Sequence, residues 1–263
     1  MLLIIKALLR HRSIIKSYVK RDFAGRYKGS VFGSLWAVIN PIVILGIYTF
    51  VFSGIFRIKF GSEGGLLNFA IYTFCGIIAW TAFSDAIGRS ATIISENANL
   101  VKKVVFPLET LPLHIALSGL LTQIIGSIIL IIIVLVTRFQ LHWTLIFLPL
   151  LMFLQLLLTI GLSWFISSLG VFIKDISHIV GLILLAWMFL TPIMYPESMV
   201  PERFKFILLN PMATLVTSYR SVIIEGQQPD FVRLIILSFF IIAIFCTGYE
   251  FFGKAKTAFS DVI

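Results

Sequence analysis

The chain has 263 residues, of which 59% are hydrophobic and 13% charged, with a mean hydropathy of +1.03. That balance excludes a soluble globular domain and points to an all-α, polytopic membrane protein. The formal net charge of +9 is no nucleic-acid footprint, because eight of the 21 Lys and Arg residues fall between Lys6 and Lys28, ahead of the first long apolar run, where they suit an anionic membrane face. Cys75 and Cys246 sit inside apolar runs and offer neither a disulfide framework nor a metal-ligand spacing.

Residues 1–32 carry cations too often to cross a bilayer, and no small-residue cleavage site marks them as a removable signal. Ile14, Ile15, Tyr18, Val19 and Phe23 recur at helical spacing while Lys16, Lys20 and Arg21 point elsewhere. This is the pattern of an amphipathic helix lying in the headgroup region, with Arg26 just beyond it. A plain basic topogenic tail is the alternative.

A crossing needs about 20 apolar residues at a 1.5 Å rise per residue. The apolar runs predict six spans, over 33–56, 64–88, 110–137, 142–172, 176–195 and 231–250. The fourth is longer than one crossing needs and should tilt or project. Six spans put residues 1–32 and the tail 257–263 on one side of the membrane. That side carries fourteen basic residues against seven on the other, so both termini are expected in the cytoplasm.

Residues 197–228 are too apolar for a solvated loop and too interrupted for a span. Irregular backbone at membrane depth survives only where protein or water satisfies it, so a re-entrant helical pair is expected on the external side. Pro196, Pro201, Pro211 and Gly226 punctuate it. Arg220 lies in an apolar stretch where a bare guanidinium is costly, and is expected to pair with Glu225 or to meet anionic lipid or substrate groups.

Between the second and third spans lies a charged insert, Ser95–Glu109. Leu100, Val101, Val104, Val105 and Phe106 form an apolar face beside Lys102 and Lys103, a short helix over 96–106 suited to a groove on a soluble partner. An ordinary interfacial connector is equally compatible with these residues.

No energy source is written into the chain. Gly248–Ala255 comes near a phosphate-binding loop, but Ala255 stands where Ser or Thr would hold magnesium. Tyr249, Phe251 and Phe252 would crowd the anion, and the segment ends a membrane helix. Ion coupling leaves ionisable groups mid-span, whereas His114, His178 and Asp85 lie near span ends. There is no catalytic triad, paired-carboxylate site or zinc cluster, so the chain reads as a transport protein without a cofactor of its own. Energy enters from another subunit, or the chain is a passive channel or an ion-coupled flippase with a source not visible here.

Three phrases carry a resemblance. Arg26-Tyr-Lys-Gly-Ser-Val-Phe-Gly-Ser-Leu-Trp36-Ala-Val-Ile-Asn-Pro41, then Asn99-Leu-Val-Lys-Lys-Val-Val-Phe-Pro-Leu-Glu109, then Leu209-Asn-Pro-Met212 with Tyr219-Arg220 and Glu225-Gly226, resemble the permease subunit of type-2 ABC exporters. The nearest branch is the polysaccharide one, which includes O-antigen, capsule and teichoic-acid exporters, with the O-antigen type first. The resemblance runs nearly the whole chain in the family's order.

It implies a homodimeric permease in the bacterial inner membrane, served by two copies of a cytoplasmic ATP-binding subunit that holds Mg-ATP, and exporting a lipid-linked polysaccharide. It implies that Asn97, Asn99, Leu100, Val101, Lys102, Lys103, Val104, Val105 and Phe106 couple the permease to the ATPase. Pro196, Pro211, Arg220 and Glu225 would belong to external gate helices. The helix bearing Lys16, Lys20, Arg21 and Arg26 would lie among membrane lipids where substrate enters. A sugar polymer stacks on aromatic faces, so Tyr48, Phe52 and Phe56 on one side of the first span, and Trp187, Thr191, Met194 and Tyr195 on one side of the fifth, are candidates for its path.

Overall fold

A computed structural model describes residues 11–26, 29–55, 66–103, 106–139 and 141–262, and among these every regular element is helical. Apolar surroundings cannot bond backbone N–H and C=O groups, so the chain must bond them internally, and a helix does so within one segment. Four helices dominate: α3 (Leu66–Ser90), α6 (Thr110–Arg138), α7 (Leu148–Phe172, entered through a 3-10 turn at Trp143–Phe147) and α10 (Phe231–Ala255). They have 25, 29, 25 and 25 residues. At 1.5 Å per residue each exceeds the roughly 30 Å of a hydrocarbon core. The chain is a multi-pass membrane protein.

The helix ends follow local chemistry. The Asp230 carboxylate accepts the N–H groups of Val232 and Arg233 at 3.0 and 3.1 Å and starts α10. Phe139, in a left-handed conformation at φ 52°, ends α6.

The expected first and fifth spans differ from the long four. The first is α2 (Trp36–Tyr48), preceded by a 3-10 turn at Gly33–Leu35 and continued by a π-helical stretch at Thr49–Ile55. The fifth, expected over 176–195, is α8 (Ile176–Leu190), and five residues predicted as helix are not. The reason is Pro192. A proline disfavours the helical conformation of the residue before it, and Thr191 is extended at ψ 133°. The 15 residues of α8 rise only about 22 Å.

Short helices complete the chain: α1 (Arg12–Gly25), α4 (Ile93–Glu96), α5 (Ala98–Lys103), α9 (Pro211–Arg220, continued by a π-helical turn to Glu225) and α11 (Phe259–Val262). The segment 197–228 holds 3-10 turns at Glu197–Met199 and Glu202–Leu209, and the latter meets the helix beginning at Pro211 at 89°. Residues 257–263, expected as a tail, are not one as far as residue 262. Phe259 is fully buried against Phe252 and Phe172, because an aromatic ring placed just past a bundle end gains more by folding back than by solvation.

Apolar residues gather in two cores. One joins α3, α6, α7, α8, α9 and α10, with Phe74, Phe83 and Tyr219 inside it. The other, at the end of the bundle where α1 packs, joins α4, α6, α7, α10 and α11 around Trp164, Leu111 and Phe252. Lipid tails are as apolar as Leu, so close approach between helices must come from small residues. A Cβ on Gly248 would sit 2.3 Å from the Gly161 carbonyl oxygen, and one on Gly161 would sit 2.9 Å from the Phe245 backbone. The α7–α10 contact therefore depends on both glycines. Gly248→Leu should lower the melting temperature of the detergent-purified protein, consistent with an overpacking cost of about 1–3 kcal/mol. Gly253→Ala, in open space five residues further on, should leave it unchanged.

Candidate functional site

Three neighbourhoods hold the polar side chains that a helical bundle has least reason to keep. The first is the insert after α3. Thr92 donates to Glu96 Oε1 at 2.7 Å, and Asn97 Nδ2 donates to the Ile93 carbonyl at 2.8 Å. An Asn side chain that bonds nearby backbone competes with the helix, and Asn97 departs from helical geometry at φ −109°, ψ 30°. The single helix expected over 96–106 is therefore two, α4 and α5, with a bend at Asn97.

Three residues of the expected apolar docking face point toward the bundle. Leu100, Val101 and Phe106 are half-buried against the bundle's own core, while Ser95, Glu96, Asn99 and Lys102 are exposed. Val104 and Val105 lie outside the described residues, as does the side chain of Lys103. The Phe106 ring lies 5.6 Å from Tyr18 of α1, and Tyr18 lies 5.3 Å from His114. Glu109 closes the insert: its carboxylate takes Lys256 at 2.9 Å and its carbonyl accepts Trp164 Nε1 at 3.1 Å. The insert is packed on α1, bonded to α7 and tied to the 3-10 turn that follows α10.

The second neighbourhood joins α1 to α3. On α1, Ile14, Ile15, Tyr18, Val19 and Phe23 turn inward and Lys16, Lys20 and Arg21 stay exposed. Asp22, on the inward side, accepts both terminal nitrogens of Arg89, one of them at 3.1 Å. Arg26, expected among headgroups, is engaged instead. Its Nε meets Asp22 Oδ2 at 3.3 Å, and its Nη2 lies 2.8 Å from Asp85 Oδ2, a charge contact without hydrogen-bond geometry.

These residues line a cavity of about 490 Å3 with Arg21, Glu96, Asn97 and His114. Its three arginines face three carboxylates, so the arrangement works as a latch and not as a cationic pit. Burial would raise the Asp22 pKa, but the Arg89 hydrogen bonds and the charges of Arg89 and Arg26 outweigh it and hold the carboxyl at about 2.

The third neighbourhood, at the opposite end, is built where α8 stops. Arg220 is buried, and all three guanidinium nitrogens donate to backbone: Nη1 to the Pro192 carbonyl and Nη2 to the Ile193 carbonyl, both at 2.6 Å, and Nε to the Tyr72 carbonyl at 3.2 Å. The expected pairing with Glu225 gives way to this geometry, because carbonyls freed by the break at Pro192 need donors. Glu225 accepts the Tyr72 hydroxyl at 3.0 Å instead.

Asn210 ties the same break to α9. Its Oδ1 accepts from Met212 N–H at 2.8 Å and Trp187 Nε1 at 2.7 Å, and its Nδ2 donates to Thr191 Oγ1 at 2.8 Å. Pro211 takes the first position of α9 and Pro196 precedes the first 3-10 turn. Gly226 adopts φ +67°, with His142 where a Cβ would be.

The expected aromatic path is described only on its α8 side. Phe56 lies outside the described residues, as do the side chains of Tyr48 and Phe52. Thr191 and Met194 are buried, so they do not share an open face with Trp187. Trp187 is half-buried against Phe83 and Trp80, at 5.2 and 6.3 Å between ring centroids, and the Tyr195 hydroxyl donates to the Phe189 carbonyl at 2.8 Å.

Sequence reading missed a buried chain: Gln123 Nε2 reaches Gln155 Oε1 at 3.0 Å and the Tyr219 hydroxyl at 2.9 Å, and Gln155 Nε2 donates to the Ala79 carbonyl at 2.8 Å. Two glutamines within apolar runs were the available signal, since amides there need partners. Among the described residues no cluster of three or more His, Cys, Asp or Glu could hold a metal.

Two substitutions test this geometry. Arg220→Met leaves buried carbonyls unbonded and should cost about 3 kcal/mol or more, read as a large drop in melting temperature with new protease sensitivity around residues 191–210. Asp22→Asn should cost about 1–2 kcal/mol after allowance for the solvent at Arg89. Because the folded pKa is depressed, the Asp22 contribution is complete above about pH 4 and is lost as pH falls through about 2. The melting-temperature gap between wild type and Asp22→Asn should thus stay constant from pH 8 to 5 and close only below about pH 4.

Known proteins align with this arrangement over most of its length. A family model described as ABC-2 type transporter matches residues 14–224. The O-antigen export system permease protein RfbA of Myxococcus xanthus is 27% identical over 266 residues, covering 100% of both chains. A Klebsiella pneumoniae protein of the same name is 30% identical over 247 residues, 92% of each chain. The polysialic acid transport protein KpsM of Escherichia coli is 20% identical over 250 residues, 93% of this chain and 94% of its own. With the family model spanning the insert, the latch and the segment around Arg220, the chain belongs to the ABC-2 type transporter family.

Proposed function

We propose that this chain is the membrane permease of an ATP-driven exporter that moves a lipid-linked polysaccharide, of the O-antigen type, out of the bacterial cytoplasm across the inner membrane. What carries the reading is the end-to-end alignment with a relative named as an O-antigen export permease, joined to a polar segment mounted on the bundle core. The permease works as a homodimer with two copies of a cytoplasmic ATP-binding subunit, which supplies the Mg-ATP chemistry. Six spans, with α2 and α8 as the two short ones, put both termini in the cytoplasm. The bent pair after α8 is the re-entrant external gate.

In this reading the insert of α4 and α5 is the coupling segment. The grip falls on Glu96, Asn99 and Lys102, because Leu100, Val101 and Phe106 are already engaged at home. Force on α5 reaches α1 through Phe106 and Tyr18, α6 through His114, and the turn after α10 through Glu109 and Lys256. The gate at the other end is held by Arg220 and Asn210 to the end of α8, and by Tyr219 to the Gln123–Gln155 pair. Trp187, packed on Trp80 and Phe83 with its N–H on Asn210, links the aromatic wall of α8 to the gate.

Deleting the gene should abolish surface O-antigen and leave lipid-linked polymer inside the cell, and plasmid-borne wild type should restore export. A deletion strain with unchanged surface glycan would overturn the reading. The double variant Asn99→Asp with Lys102→Glu should insert normally, yet lose roughly tenfold in retained ATP-binding subunit, the equivalent of about 1.4 kcal/mol, and lose export with it.

A further inference from the structure

The residues after α10 form a second polar face beside the insert. Lys256–Ala258 is a 3-10 turn and α11 follows at once. Phe259 anchors α11, with its ring 5.5 Å from Phe252 of α10 and 6.1 Å from Phe172 of α7. The backbone of α11 comes within 8 Å of both α5 and α7. Lys256 adds a second anchor on Glu109, where the insert ends. Thr257, Ser260, Asp261 and Val262 after α10, and Glu96, Asn99 and Lys102 on the insert, are exposed, and all but Val262 are polar.

In a chain with only 13% charged residues, a cluster of exposed polar groups at one bundle end faces water or a soluble partner. Its apolar side is already occupied by the bundle's own core. We infer that α11 and α5 form one continuous docking surface for the ATP-binding subunit, with Ser260 and Asp261 making contacts of their own and Phe259 acting as a positioning residue. This inference rests on the permease reading above.

Two physical arguments favour it. A surface anchored before the partner arrives needs little ordering on docking, which lowers the cost of association. The anchors also differ: a load on α5 passes to α1 through Tyr18, whereas a load on α11 passes directly to α7 and α10 through Phe172 and Phe252. One docking event would then move both sides of the bundle. Asp261 calls for a cationic or hydrogen-bond-donating patch on the partner, complementary in sign to what Lys102 requires.

The test is co-purification of the full-length permease with its ATP-binding subunit from membranes. Asp261→Lys should insert and melt as wild type yet retain about fivefold less ATP-binding subunit at low salt, with the difference shrinking at high salt. Phe259→Ala should lose both subunit retention and some melting temperature, and Phe259→Leu, which keeps the anchor apolar, should recover most of the retention. If Asp261→Lys retains the subunit as well as wild type while Lys102→Glu loses it, the surface ends at α5 and the inference is overturned. If wild type brings down no ATP-binding subunit at all, the permease reading falls and this inference with it.

Discussion

A backbone that leaves the helical path inside apolar surroundings must find donors for its carbonyls, and this constraint shapes the molecule more than any other. The run after α8 cannot stay helical at Thr191, because Pro192 follows. The carbonyls of Pro192 and Ile193 are then freed in a region packed by Ile193, Val216 and Tyr219. Arg220 answers with a planar fork of donors whose spacing suits two neighbouring carbonyls, and it reaches across to Tyr72 with its third nitrogen. Asn210 accepts the free Met212 N–H at the start of α9, and Thr144 donates to the Val222 carbonyl at 2.7 Å where α9 passes into its π-helical turn. The breaks at Pro192 and at the start of the π-helical turn each have a side chain from another element fitted to them, so these breaks set which elements must meet.

The same accounting explains why the bundle divides its labour between its ends. At the end carrying α1 the polar groups are charged and partly hydrated. The Asp22–Arg89–Asp85–Arg26 latch can be strong there without paying the full desolvation cost of a dry ion pair. At the other end the guanidinium of Arg220 is fully buried and meets neutral carbonyls. Between the two ends the Gln123–Gln155–Tyr219 chain joins α6, α7 and α9 within the buried core. Glycine-mediated contact of α7 with α10 and the amide chain tie the helices together between the two ends.

The insert after α3 shows how a sequence pattern can be read correctly as a pattern and wrongly as a direction. Leu100, Val101 and Phe106 do lie on a common side, as their spacing requires. Which way that side faces depends on whether a core is waiting for it, and Ile93, Ile94, Leu108 and Leu111 supply one. The polar residues thereby become the exposed ones. The segment after α10 tells the same story: the seven residues 257–263, with Asp261 as their one charged side chain, look like a tail until Phe259 is seen under Phe252.

From sequence alone the helical class, the membrane habitat, the long apolar spans, the amphipathic sides of α1 and the polar insert were legible, because each follows from local composition or a 3.6-residue period that needs no partner to exist. Family membership was legible for the same reason, in three local phrases. Only the tertiary structure decided that Arg220 serves carbonyls and Glu225 serves Tyr72, that Arg26 belongs to a latch on Asp22 and Asp85, and that Gln123 meets Gln155 and Tyr219. These pairings join residues as far as 153 positions apart. Their partners are chosen by which helices pack side by side, and no local pattern carries that information.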